Sequence, residues 1–128
     1  MPDQNLVDVS PAAAEVGYGF NILRAPVFLT HGLWDICVQW DEQDTLAQDF
    51  QEQDARLWDV LFVCGMAIES DPQSFLNTMT KRFSILVIPR DGKSKTSVRA
   101  NLVATGNIER GILVINLVDL DAELAEQG

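Results

Sequence analysis

Arg56-Leu57-Trp58-Asp59-Val60-Leu61-Phe62-Val63-Cys64-Gly65-Met66-Ala67-Ile68-Glu69 decides how the chain is read. Leu57, Val60, Leu61, Cys64 and Ile68 recur at helical spacing, and Trp58, Phe62, Val63 and Met66 widen the stripe. An apolar surface that broad predicts a helix touching neighbours on more than one side. Pro72 lies just beyond it, and Phe75 to Lys81 reads as one more short helix. From Phe83 the period changes. Phe83 to Ile88 is rich in branched and aromatic residues, Val98 to Thr105 alternates, and Ile112 to Leu117 is apolar throughout. These are strand patterns. Asp91-Gly92 and Gly106-Asn107 mark the turns between them, so the last third predicts a three-stranded antiparallel meander.

Upstream the pattern is more broken. Leu6 to Val9 is a short extended candidate, and Ser10-Pro11 is a favourable helix start, serine as cap and proline in the first turn. Leu33, Ile36, Cys37 and Trp40 predict a second helix from about Val27 or Thr30 to Trp40. Leu46 and Phe50 allow part of Asp41 to Asp54 to be helical. With helices first and strands last, the expectation is one α+β domain over residues 1–128. Its N-terminal helices would pack on a C-terminal three-stranded antiparallel sheet, with residues 119–128 a mobile acidic tail.

The chain has 128 residues and a formal net charge of −10. Residues 1 to 80 hold thirteen acids against Arg24 and Arg56. Residues 81 to 118 hold seven bases against Asp91 and Glu109. Such a balance argues against direct nucleic-acid binding and against adsorption to an anionic membrane. No apolar run reaches the roughly 20 residues of a membrane-spanning helix, and the first twenty residues lack a secretory pattern, so cytoplasm is the expected compartment. Cys37 and Cys64 sit among large apolar residues and read as reduced core thiols.

The charge layout supplies two binding candidates. Arg90, Lys93 and Lys95 form a basic hairpin tip suited to an acidic partner. Asp41, Glu42, Asp44, Asp49, Glu52 and Asp54, six acids with no intervening base, have the density to imitate a phosphate backbone and occupy a DNA-binding protein. His31 is the sole histidine. With Asp35 or Cys37 it falls short of a zinc set, so no metal and no cofactor is expected. Asp35 and Asp59 each follow a tryptophan. With Arg56 they define the one enzymatic candidate, a hydrolase or nuclease-like pair of carboxylates.

The blocks Leu6-Val7-Asp8-Val9-Ser10, Pro26 to Thr30, Cys37-Val38-Gln39-Trp40, Arg56-Leu57-Trp58-Asp59-Val60-Leu61 and Pro89-Arg90-Asp91-Gly92 resemble a family of small proteins carried by plasmids, phages and other mobile elements. The resemblance spans most of residues 5 to 118. It implies a single domain and a mobile-DNA setting, but no activity. It also makes Arg56, Trp58 and Asp59 candidates for a shared site. The expected function is that of a non-enzymatic accessory protein binding a protein partner, with a homodimer allowed by the surplus apolar face of helix 56–69.

Overall fold

A computed structural model describes residues 6–121. In chain order the elements are β1 (Leu6–Asp8), α1 (Ser10–Val16), α2 (Phe20–Leu23), β2 (Val27–Thr30), α3 (His31–Leu33), a π-helical turn (Trp34–Val38), α4 (Glu42–Ala47), α5 (Gln53–Ser70), α6 (Pro72–Thr78), β3 (Thr80–Val87), β4 (Val98–Asn107) and β5 (Ile112–Asp121). The strands form one sheet in the order β1-β2-β5-β4-β3.

This corrects the expected three-stranded antiparallel sheet: the fold is α+β, but the sheet has five strands and is mixed. The meander of β3, β4 and β5 is antiparallel, as its turns predict. Two further strands come from the N-terminal half. β2 pairs parallel to β5, with Phe28 opposite Val114, and β1 closes the edge antiparallel to β2. Val27-Phe28-Leu29-Thr30, read from sequence as the start of a helix, is therefore a strand. Its Val27 and Leu29 are buried and alternate with half-buried Phe28 and Thr30, the period-2 signature of a strand. Helix begins only after Thr30, whose Oγ1 accepts the Leu33 N–H. Ser10 also departs from expectation. Its hydroxyl accepts the Val27 N–H at 2.9 Å instead of capping α1, so it joins that helix to β2. Asp119 to Asp121, expected in a mobile tail, extend β5 opposite β4. Residues 122–128 lie outside those described.

The stripe of α5 lies against the sheet. Val60, Leu61, Cys64 and Ile68 are buried in one cluster with Ile85, Val87, Ala100, Leu102, Leu113 and Ile115. On the other face of the sheet, exposed polar side chains bond across strands: Thr30 to Asn116, Ser84 to Asn101, and Asn101 to Asp119. Among the described residues, the helices thus cover one face. No helix among the described residues is long and apolar enough to cross a membrane.

The turn after α1 crosses α5 at a point where both chains are glycine. A Cβ on Gly65 would stand 2.1 Å from the Tyr18 carbonyl oxygen, and one on Gly19 2.3 Å from that of Gly65. Gly19 also has φ +74°, a conformation glycine adopts without steric cost. The obstacle is backbone, which cannot swing aside. Gly65→Ala is expected to cost about 2–3 kcal/mol in urea unfolding. A loss below 0.5 kcal/mol, on the order of an ordinary surface change, would show that the turn does not rest on α5.

Candidate functional site

Arg56, in the first turns of α5, is buried with its residue surface only 4% exposed. Its Nε donates to the Val38 carbonyl at 3.0 Å, Nη2 to Ile36 at 3.0 Å and Nη1 to Ile88 at 2.9 Å. The guanidinium carbon lies 4.4 Å from the Trp40 ring centroid. Ile36 and Val38 belong to the end of the π-helical turn, where carbonyls lack partners along the chain. Ile88 follows β3. One rigid cationic fork therefore satisfies the end of one element and the exit of another. Burial pulls the Arg56 pKa downward, and the carbonyl dipoles and the Trp40 face supply the compensation.

A second set of contacts orders the acidic segment. Asp41 caps α4 through the Asp44 N–H at 3.0 Å, and Asp44 returns a bond to the Asp41 N–H at 2.9 Å, a reciprocal capping box. Asp44, itself buried, also accepts Arg90 Nε at 2.8 Å, while Asp41 lies 3.8 Å from Arg90 Nη2. Burial opposes the Asp44 charge, but the bonds from Arg90 and from the Asp41 amide outweigh it and hold the carboxyl below its ordinary value. The hydrogen bond to Asp44 raises the Arg90 pKa in turn, with Asp41 and Asp35 adding to the effect. Asp44 and Arg90 keep one another charged, which suits a brace better than a proton relay.

Gln48, at the end of α4, is buried and uses its whole amide. Nε2 donates to the carbonyls of Pro89 (2.9 Å) and Ser94 (2.7 Å), and Oε1 accepts the N–H groups of Asp91 (3.2 Å) and Gly92 (3.0 Å). Asp91 closes the same loop by accepting from Lys93 and Ser94. The basic tip expected at Arg90, Lys93 and Lys95 is thus sewn to the acidic segment. Arg90 is turned inward, and only Lys93 and Lys95 are exposed.

The six acids of 41 to 54 divide in the same way. Asp44 is internal, while Asp41, Glu42, Asp49, Glu52 and Asp54 are exposed. Between them stand Leu46 and Phe50, 87% and 66% exposed, which with Asp41, Glu42, Thr45 and Gln51 line a cleft of about 540 Å³. Trp40 anchors the segment from below, its Nε1 donating to Thr45 Oγ1 and to the Asp49 carbonyl, both at 3.2 Å.

The enzymatic candidates are brought together in part. Arg56 and Asp59 line a smaller cleft of about 200 Å³ with Gln51 and Ser97. Asp35 does not line it and acts instead on Arg90. Trp58 is exposed on α5. His31 is exposed as well, and among the described residues no three of His, Cys, Asp and Glu gather as a metal site. Cys37 and Cys64 are buried free thiols, and burial pushes their pKa values up to about 11 and about 12, away from thiolate chemistry.

No protein-family model matches the chain, and neither a curated protein nor a solved structure is detectably similar to it.

Because the Asp44 carboxyl titrates below 3.8 in the folded chain, its stabilising charge is present above that pH and is lost as pH falls through the folded value. Asp44→Asn keeps the shape but not the charge. It is expected to cost about 1–2 kcal/mol at pH 7 by urea unfolding, with the gap to the unaltered chain closing below pH 3.8. A gap that stays constant down to about pH 2 would remove the ion pair from the explanation.

Proposed function

We propose that the chain is a non-enzymatic cytoplasmic protein that uses the exposed acids of segment 41–54 to occupy a basic, nucleic-acid-binding surface on a partner protein. The observation that carries this is the fixed presentation of Asp41, Glu42, Asp49, Glu52 and Asp54 around exposed Leu46 and Phe50. Buried Asp44 and Gln48 hold that segment from beneath. A preset row of carboxylates needs little ordering on binding, so more of the interaction free energy appears as affinity. The two apolar side chains add a desolvated centre of the kind that fixes register. The basic tip is not the binding group in this reading, because Arg90 is already engaged by Asp41 and Asp44.

A hydrolase built on Asp35, Asp59 and Arg56 is the second possibility. The cleft shared by Arg56, Asp59, Gln51 and Ser97 favours it, and its substrate would be an anion bound by the remaining N–H groups of Arg56. Against it, Arg56 gives three donors to main-chain carbonyls, and Asp35 stands apart.

The binding reading is tested by competitive elution. Proteins from a bacterial lysate are held on duplex-DNA cellulose and washed with the purified chain. At a salt concentration where buffer alone elutes no protein, the unaltered chain is expected to release a discrete protein. The variant Glu42→Gln, Asp49→Asn, Glu52→Gln, Asp54→Asn is expected to release at least about tenfold less, equivalent to about 1.4 kcal/mol. Equal release by both chains, or none by either, would overturn the proposal.

A further inference from the structure

α5 buries one side in the core and leaves an aromatic ridge on the other. Trp58, Phe62 and Met66 follow at intervals of four and are 43%, 38% and 44% exposed. They run about 12 Å along the helix at 1.5 Å per residue. Tyr18, 51% exposed, stands edge-on to Phe62 with ring centroids 6.1 Å apart. Its turn is pinned where the Gly19 and Gly65 backbones touch, and the Gly19 N–H donates to Glu69 Oε2 at 2.8 Å. The ridge is thus a built surface.

The exposed charges on α1 and α5 are all of one sign. Glu15 on α1 and Asp54, Asp59 and Glu69 on α5 are all exposed. The one base on these two helices is Arg56, which is buried and turned toward carbonyls. At one end of the ridge Glu15 and Asp54 line a cleft of about 260 Å³ with Ala12, Leu57 and Trp58. A second copy of the chain laid on this face would set carboxylates against carboxylates, and an anionic lipid surface would be repelled in the same way. A positive, apolar-faced partner meets neither obstacle.

We propose that the Trp58–Phe62–Met66 ridge is the docking site for a basic amphipathic helix of another protein. The apolar side of that helix lies along the ridge, whose i, i+4 row is the usual contact between packed helices. Its lysines or arginines stand beside Glu15, Asp54 and Asp59, and one of them enters the cleft over the Trp58 ring. The inference does not rest on the role given to segment 41–54.

The test uses the full chain and two synthetic fluorescein-labelled amphipathic helices. Both carry leucine at i, i+3, i+4 and i+7, and the remaining positions are lysine in one and glutamate in the other. Fluorescence anisotropy is expected to show the lysine peptide binding at least about tenfold tighter. Phe62→Ser with Met66→Ser, and separately Glu15→Gln with Asp59→Asn, should each weaken that binding about tenfold, while circular dichroism melting shows both variants folded. None of these four positions is altered in the elution experiment, so either idea can fail without the other. Equal binding of the two peptides, no binding, or binding indifferent to the Phe62 and Met66 changes would overturn the proposal. So would sedimentation showing a dimer that Phe62→Ser dissolves, because a second copy would then be the occupant.

Discussion

A single buried cation, Arg56, sets the geometry on which the acidic face depends. Its three carbonyl acceptors come from two places distant in sequence, the π-helical turn at Ile36 and Val38 and the end of β3 at Ile88. A carboxylate partner would have neutralised the charge but could not have joined these main-chain groups. Carbonyls at the end of a helical turn are themselves partly negative, so the fork is held by dipoles that the fold must supply anyway. Trp40, stacked on the guanidinium, is in turn the anchor of the segment that follows. α5, the helical turn, the acidic segment and the β3 exit therefore meet at one side chain.

The charge asymmetry acquires a physical meaning from this arrangement. The acid-rich half and the base-rich half are joined where Arg90 meets Asp44 and Asp41, whereas a third pair, Arg99 at 3.6 Å from Asp121, links the neighbouring strands β4 and β5. The first contact is the more consequential, because Asp44 is buried and Arg90 is partly so. The Arg99 pair is exposed enough that water and salt weaken it. Internal pairing takes up only part of the acid. The helical layer keeps Glu15, Asp35, Glu42, Asp49, Glu52, Asp54, Asp59 and Glu69 on its surface, and both proposed interfaces draw on that excess.

Helix α5 and the meander were legible because their signals are local. The apolar stripe of α5 and the alternation in β4 need no knowledge of the rest of the chain. β1 and β2 were not legible as part of the sheet, since Phe28 meets Val114 across the whole length of the fold. A short apolar run such as Val27 to Thr30 fits a helix or a strand equally well until its partner is known. The acidic run was visible, but its division into buried Asp44 and exposed neighbours was not, because composition does not say which carboxylate will face Arg90. Gln48 carried no signal at all. Its role arises only when α4 and the loop of residues 88–97 come together, and nothing around it in sequence foretells that meeting. Arg56 stood out as one of two bases in an acidic half, yet sequence could not tell a functional cation from a clamp.

The clamp is tested most directly by amide hydrogen exchange on Arg56→Lys, a change that keeps the charge and removes the fork. Protection is expected to fall at the Thr45, Gln48, Arg90 and Gly92 amides, which bond within or to the region the fork holds. Amides of the β4–β5 ladder near Ala104 and Ile115 should keep theirs. Unchanged protection at those four positions, or an equal loss across the whole sheet, would contradict the claim that Arg56 orders the acidic face.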